Sequence, residues 1–282
     1  MSNPNTGDYA QIARASRIKC LDLIYKAQTS HIGSNFSCAD IMAVLFEKID
    51  LDKDKFVLSA GWKAAMLYYH LWRKGRITEE ELNSYCQPGS KFIGLAEPIV
   101  PEIMIAGGSM GLGLPGAVGL ALAKKIKGEQ GKVYCLMSDG EMAIGTTWES
   151  MLIASHHELD NLVIMFDSNG WQAMGKRNEI LGNVGKGVSG MNGAISELGI
   201  LVGIVDGHNH WDINMAFDYI TADHHEVKAH NDRNFKKWKK RPHMISFATT
   251  KGKGVSFMEN NNLFHYKAPN EEEYLKAKEE LK

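Results

Sequence analysis

The feature that most constrains this fold is a repeated arrangement in which a short apolar segment leads to a polar, oxygen-bearing side chain. One apolar segment, 133–137, is followed by Asp139, and another, 162–166, is followed by Asn169. A helix-length segment, 146–157, separates them. A strand–helix–strand unit forms a right-handed parallel crossover, so both strands end at the same edge of the sheet. Open α/β sheets bind ligands at that edge, so we expect Asp139 and Asn169 to share a site.

The two side chains at this edge offer the ligands that a hard cation prefers. A carboxylate oxygen from Asp139 and an amide oxygen from Asn169 suit Mg²⁺ or Ca²⁺. Both ions also bind phosphate oxygens. The two residues therefore predict a site for a divalent cation and a diphosphate group.

Strand-like and helix-like segments alternate along the rest of the chain. Strand patterns lie at 56–59, 133–137, 162–166, 198–205 and 244–249, and helical patterns lie at 8–28, 61–72, 146–157, 211–230 and from 271 onward. This alternation predicts a three-layer α/β/α fold with a mostly parallel sheet. Segment 30–36 is expected to be a loop, and Ser37 to begin a helix. No linker or internal repeat interrupts the pattern, so residues 1–282 are expected to form one domain.

Composition excludes several classes of protein. The formal net charge of −1 gives no overall field that would attract nucleic acid or acidic membranes. The basic stretch 228–241 is interpreted as a solvated face. No apolar run approaches the roughly twenty residues of a membrane helix, and the N-terminus has no signal-peptide core. Four cysteines without paired spacing predict free thiols, and together these features predict a cytoplasmic protein.

A cluster of glycines before the helical segment that ends near Lys127 has three interpretations. Residues 111–116 fit the dinucleotide fingerprint G-x-G-x-x-G, with Asp139 near the place of a ribose-binding acid. Against a dinucleotide site, only a weak strand pattern at 102–105 precedes the glycines, and Pro115 interrupts them. The second interpretation is a cradle whose backbone N–H groups approach a diphosphate. The third is close helix packing.

The segment 138–169 resembles the thiamine diphosphate motif, which is Gly-Asp-Gly, about thirty residues and then Asn. Ser138 replaces the first glycine. The likeness covers nearly the whole chain, which resembles the N-terminal, diphosphate-binding half of transketolase. The other segments that match in order are 108–111, 148–149, 159–162, 206–209, 250–254 and His265 with 268–269.

The resemblance implies a set of cofactor-binding residues. Asp139 and Asn169 would ligate Mg²⁺, for which Ca²⁺ can substitute, and the backbone carbonyl of Trp171 would be a third ligand. The residues that would contact thiamine diphosphate are Gly108, Met110, Gly140, Asn169 and His31.

Three further residues match family positions near the substrate or at an interface. His31 and His265 match histidines near the diphosphate and the substrate, and they are the candidate catalytic residues. Tyr266 stands where the family usually has glycine. Glu149 matches the carboxylate cluster that the family places at its subunit interface.

The resemblance also predicts a partner. The family's second half carries the glutamate that promotes formation of the reactive ylid, and no such half follows Lys282. We therefore expect a split enzyme, active only with a separate C-terminal subunit that supplies the pyrimidine-binding and C-terminal domains, in an α₂β₂ assembly.

The substrate region departs from the family pattern. Trp62 follows the Ser-x-Gly turn where the family has histidine, and segment 94–98 lacks the histidine of the family's Gly-His-Pro step. Ile144 stands where the family has glutamate. The usual ketose phosphate donors are therefore not implied, and an unusual acceptor is expected.

The expected function is transfer of a two-carbon ketol unit from a ketose phosphate donor to an aldehyde, with thiamine diphosphate and Mg²⁺. A second interpretation is a subunit of an acyloin-forming or decarboxylating thiamine enzyme, which would explain the lost histidines. A third is a degenerate regulatory subunit, suggested by Trp62 and Ile144. The fourth is an NAD-binding dehydrogenase.

Overall fold

A parallel sheet forms the middle layer of the fold. The structure is a computed structural model that describes residues 6–182, 187–221 and 240–282. The strands are β1 (Lys55–Leu58), β2 (Val133–Ser138), β3 (Leu162–Ser168), β4 (Trp171–Gln172), β5 (Gly175–Lys176), β6 (Leu201–Asp206) and β7 (His243–Ala248). Five of them pair in parallel in the order β1-β2-β3-β7-β6, and β4 with β5 forms a short antiparallel hairpin.

Helices cover both faces of this sheet. They are α1 (Thr6–Ala27), α2 (Ile32–Ser37), α3 (Ala39–Lys48), α4 (Ala64–Arg73), α5 (Glu79–Asn83), α6 (Gly113–Lys127), α7 (Gly145–His156), α8 (Arg177–Ile180), α9 (Gly187–Glu197), α10 (His210–Thr221) and α11 (Glu271–Glu280). Successive strand residues face opposite layers, as the pleat requires. Leu136 packs in one apolar cluster, whereas Cys135 and Met137 pack in the other. The predicted three-layer α/β fold with a mostly parallel sheet is therefore confirmed.

The predicted loop at 30–36 is wrong, because most of it is α2. Ser37 is the last residue of α2 rather than the start of the next helix, and α3 follows Cys38 without a side-chain cap. The cause is tertiary: the Asn35 side chain donates to the carbonyls of His31 and Trp62 and accepts from the Met66 N–H.

Two other segments differ from their predicted patterns. Residues 102–105 do not form a strand, so the glycine cluster has no strand directly before it. The predicted helix at 211–230 is observed as α10 up to Thr221, and residues 222–239, which include most of the basic stretch, lie outside the described residues.

The cysteines and the helices agree with the expectations from composition. Cys20, Cys38 and Cys135 are buried and Cys86 is half-buried, all as free thiols. Within the described ranges, no helix combines the length and apolar character needed to cross a bilayer.

Candidate thiamine diphosphate site

The two polar residues at the strand ends lie close together, as expected. β2 and β3 are neighbours in register, and Ser138 pairs with Asp167 at their carboxyl ends. Asp139 follows β2 directly, and its Oδ2 accepts a 2.8 Å hydrogen bond from the N–H of Gly170, the residue after Asn169. The sheet therefore joins the two loops into one site.

Asp139 is a buried carboxylate whose charge is compensated. Its Oδ1 forms an ion pair with the Arg177 guanidinium, and its backbone carbonyl accepts a 3.2 Å bond from Gln172 Nε2. Burial raises the pKa of Asp139 to about 6, against the lowering effect of Arg177. A divalent cation on this carboxylate would favour the ionised form in the same way as Arg177 does.

Asn169 is oriented by its neighbours on both sides. Its Oδ1 accepts a 3.0 Å bond from the Trp171 N–H, and its Nδ2 donates over 3.4 Å to Asp167 Oδ2. Asp167 is fully buried and is paired with the equally buried Lys63. Burial tends to raise the pKa of Asp167, but Lys63 and the hydrogen bonds from Ser37 and Thr249 lower it below its ordinary value. These two hydrogen bonds orient the side-chain amide of Asn169, with its oxygen as the hydrogen-bond acceptor.

A cleft of about 280 Å³ opens above these loops. Its lining includes His31, Trp62, Leu95, Gly108, Met110, Gly140, Asn169, Trp171, His265 and Tyr266. Seven of the nine site residues proposed from the sequence are in this lining. Asp139 is buried beneath it, and Glu149 lies on α7 as an exposed side chain outside the cleft.

The two candidate histidines face each other in the cleft. Their ring centroids are 4.8 Å apart, and the His31 N–H donates to the His265 carbonyl over 2.8 Å. His31 has φ 71°, in the left-handed region, which costs a non-glycine residue energy and recurs at functional sites. Burial, reinforced by the charge of Lys251, lowers the pKa of His31 to about 4 and that of His265 to about 3. Both imidazoles are therefore neutral near pH 7.

Two glycines near the cleft have different reasons for lacking a side chain. Gly140 lines the cleft, and a Cβ on it would lie 3.0 Å from Met110 Sδ, so the Met110 side chain, which also lines the cleft, would have to shift. The backbone of Gly140 is therefore open to close approach by a cofactor. Gly111 has φ +79°, and a Cβ on it would lie 2.3 Å from Ile144 Cγ2, so this glycine is required by close packing.

The donor set also fits a metal that the cofactor helps to bind. In the part of the chain that the structure describes, no group of three or more His, Cys, Asp or Glu side chains could hold a metal ion. A cation at Asp139 and Asn169 would need further oxygen ligands, which a backbone carbonyl and diphosphate oxygens would supply.

Three charged residues that contact the predicted site residues or their partners were not predicted as site residues from the sequence. Arg177 pairs with Asp139, Lys63 pairs with Asp167, and Lys251 Nζ donates to His265 Nδ1 over 2.8 Å. Lys63 carries a usable signal, because it interrupts an apolar segment. Arg177 begins the four-residue helix α8 and carries none, whereas Lys251 lies in the segment 250–254 that matches the family.

A parallel sheet with an acidic and an amide side chain at adjacent strand ends, beside a glycine-lined cleft, defines an α/β diphosphate-binding domain. Residues 9–183 match the family model described as transketolase, thiamine diphosphate binding domain. The chain belongs to the transketolase family. The glycine cluster accordingly lies in a thiamine diphosphate-binding domain, and it lacks the preceding strand that a dinucleotide fingerprint requires.

Relatives of similar length match the chain from end to end. The chain is 30% identical to the A subunit of apulose-4-phosphate transketolase from Phocaeicola vulgatus, over 94% of this chain and 91% of that protein. It is 31% identical to the protein of the same name from Actinobacillus succinogenes, over 99% of each chain. A crystal structure of transketolase from Campylobacter jejuni superposes with a TM-score of 0.83 at 28% identity, over 97% of this chain but only 42% of that one.

Proposed function

We propose that this chain is the N-terminal subunit of a split transketolase-like enzyme. The reaction moves a two-carbon ketol unit from a ketose or ketose phosphate to an aldehyde. The observation that carries the proposal is the convergence of Asp139 and Asn169 under a cleft that also contains His31 and His265. The family membership and the likeness to the A subunits of apulose-4-phosphate transketolases support it.

The residues around the cleft would hold the cofactor and its metal. Asp139, Asn169 and the carbonyl of Trp171 would ligate Mg²⁺, or Ca²⁺ in its place. Gly108, Met110 and Gly140 would line the diphosphate and the adjoining ring. When bound, thiamine diphosphate supplies the carbanion-stabilising group for the transfer.

The chain's own contribution to the chemistry is to handle protons at the reacting oxygen. The C2–C3 bond of the ketose breaks, and the C3 hydroxyl releases a proton as the rest of the ketose leaves as a shortened aldehyde. A new bond then joins the two-carbon unit to the carbon of the acceptor aldehyde, whose oxygen takes up a proton. The Lys251 ammonium donates to His265 Nδ1, which leaves the proton of the neutral imidazole on Nε2. His265 and the neutral His31 can then donate to, or accept from, a substrate oxygen between them.

A separate C-terminal subunit would complete the site. The two apulose-4-phosphate transketolase relatives match this chain over 91% and 99% of their own length. Such a companion chain would supply the pyrimidine-binding and C-terminal domains, in an α₂β₂ assembly to which Glu149 contributes. A single domain over residues 1–282 and a cytoplasmic location stay predictions.

The test is co-expression with a transketolase C-terminal subunit, which is sought first in the neighbouring reading frames. The purified assembly should bind thiamine diphosphate in the presence of Mg²⁺ and convert a ketose phosphate and an aldehyde into new ketose and aldehyde products. Asp139→Ala should abolish turnover, whereas a non-catalytic regulatory subunit would tolerate the change.

Replacement of the two family histidines favours one other candidate, an acyloin-forming or decarboxylating enzyme on the same cofactor site. Offering pyruvate beside the ketose phosphate separates the two. Consumption of pyruvate alone would favour the second candidate and contradict ketol transfer.

A further inference from the structure

One wall of the cleft is apolar in the two segments where the family pattern has histidines. Trp62 and Leu95 both line the cleft, and their segments are joined by a 3.0 Å bond from the Ala96 N–H to the Gly61 carbonyl. The Leu95 carbonyl accepts from the Tyr68 hydroxyl over 3.1 Å. The backbone therefore holds both side chains in fixed places on the same wall.

The Trp62 ring is packed rather than free. Only 9% of Trp62 is exposed, and the backbone carbonyl of Trp62 accepts a 3.2 Å bond from Asn35 Nδ2. Its ring centroid lies 6.2 Å from that of His31, and the Tyr266 ring also approaches His31, at 5.8 Å. The His31 imidazole is thus accompanied by two large aromatic side chains.

This wall suits one kind of substrate chain. The hydroxyl groups of a sugar need hydrogen-bond partners, and a hydroxyl placed against an indole ring and a leucine side chain loses its bonds to water without replacement. The polar side chains Asn169 and Gln172 are already bonded to Asp167 and Asp139 on the metal side of the cleft. Besides the hydroxyl-bearing Ser34, Ser138 and Tyr266, the lining of the cleft offers His31 and His265 for polar recognition.

We propose that the substrate lying along this wall is an aldehyde or ketone whose chain beyond the carbonyl group is apolar. The wall, defined by Trp62 and Leu95, determines this specificity. The inference rests on the proposed function, since it names the substrate class for the same cleft.

The test uses the holoenzyme, which is this chain with its companion subunit, thiamine diphosphate and Mg²⁺. Hydroxypyruvate is the donor: its C1–C2 bond breaks with release of CO₂, the two-carbon unit bonds to the aldehyde carbon, and the aldehyde oxygen takes up a proton. Propanal and glyceraldehyde are compared as acceptors, because they differ only by two hydroxyl groups. We expect kcat/KM to be at least about tenfold higher for propanal.

Variants of the wall should reverse this preference. Trp62→His and Leu95→His each introduce a hydrogen-bonding side chain, and each should shift the ratio of kcat/KM values toward glyceraldehyde by about tenfold. Trp62→Phe keeps the wall apolar and should keep the preference for propanal. Trp211→His makes the same exchange at an exposed position on α10 and should change kcat/KM for neither propanal nor glyceraldehyde. If Trp62→His does not fold, Leu95→His carries the comparison.

A binding measurement supplements turnover. Propan-1-ol and glycerol cannot react, and saturation-transfer NMR should detect the first but not the second on the wild-type holoenzyme. Trp62→His should weaken the propan-1-ol signal.

Two results would overturn the inference and leave the transfer reaction standing. They are a wild-type preference for glyceraldehyde, and an unchanged preference in both Trp62→His and Leu95→His. If the holoenzyme neither consumes hydroxypyruvate nor forms product with either aldehyde, the proposed function fails and the inference fails with it.

Discussion

At the scale of single residues, the site depends on a buried carboxylate that one cation already accompanies. Arg177 pairs with Asp139 and also donates over 2.8 Å to Ser168 Oγ. Charge-assisted bonds of this type fix the orientation of a carboxylate. Arg177 therefore holds Asp139 in one position.

We expect Asp139→Asn to lower the affinity of the assembled enzyme for thiamine diphosphate in the presence of Mg²⁺ by on the order of 100-fold or more, since even indirect supports of metal ligands contribute factors of that size. The neutral amide loses both the charge for the metal and the ion pair with Arg177. Isothermal titration calorimetry measures the change.

The matched control for this substitution is Asp206→Asn. Asp206 ends β6, is exposed, and accepts a 2.9 Å bond from the His208 N–H, but it does not line the cleft. The control should bind the cofactor normally. Equal affinities in Asp139→Asn and the wild type would contradict the metal-ligand role.

Lys251 contributes to the lowered pKa of His265. Burial is the largest cause of the lowered His265 pKa, and the Lys251 charge is the next. In Lys251→Met the first cause remains and the second is lost, so the pKa of His265 should rise from about 3 toward its ordinary value without reaching it. A pH titration of the histidine ring signals by NMR measures this shift. Lys253→Met, in the same loop but partly exposed, should leave the His265 titration in place.

The sequence predicts the residues of this site unevenly. Asp139 and Asn169 were predictable because strand ends of a parallel crossover must meet at one edge. The contacts of Arg177 with Asp139 and of Lys251 with His265 were not predictable, because they depend on tertiary packing. Their roles follow only from contacts across 38 and 14 residues.

At the scale of secondary structure, long periodic segments were predictable and short ones were not. The strands that carry the site were placed within one or two residues. The six-residue helix α2 was missed, because its sequence Ile-Gly-Ser-Asn-Phe-Ser has loop composition. A helix this short has little stability of its own. Hydrogen bonds from the Asn35 side chain to the Trp62 carbonyl and the Met66 N–H hold α2 in place.

Helix α4 contains a histidine that makes the fold sensitive to acid. His70 is fully buried against Phe46, and neither ring nitrogen finds a hydrogen-bond partner among the described residues. Burial, with Arg73 and Lys74 nearby, lowers its pKa to about 3. Below about pH 6.5, His70 therefore becomes protonated in the unfolded chain but stays neutral in the folded chain. The free energy of unfolding consequently decreases as the pH falls from 6.5 toward 3.

We expect His70→Leu to remove this loss. From pH 7.5 to pH 5 the wild type should lose about 2 kcal/mol more of its free energy of unfolding than the variant does. Urea denaturation of both proteins at the two pH values measures the difference. Equal losses in the two proteins would contradict a neutral, buried His70.

At the scale of the whole molecule, the alternating strand and helix pattern was enough to predict the layers and the parallel sheet. It could not predict the strand order β1-β2-β3-β7-β6, in which the last strand inserts between β3 and β6. Nor could it predict that α1, α3, α4 and α10 pack together in one apolar cluster, because no local pattern encodes contacts between distant segments.

The surface of α7 leads to the last prediction, which concerns assembly. Leu152 and Ile153 are 52% and 48% exposed, on the same helix as Glu149. Large apolar side chains exposed together mark protein interfaces, and the proposed companion subunit is the partner we expect there. Leu152→Asp should place a charge in that interface and weaken association by about tenfold or more, because a buried unpaired charge is costly.

Analytical ultracentrifugation of the co-expressed subunits measures this association. Leu275→Asp is the matched control, since Leu275 is 58% exposed on α11, a different helix that does not line the cleft. The control should assemble like the wild type, and the isolated Leu152→Asp chain should keep its thermal stability, because that side chain is already in water. If Leu152→Asp assembles as tightly as Leu275→Asp, α7 is not the surface that binds the companion subunit, and the role expected for Glu149 fails too.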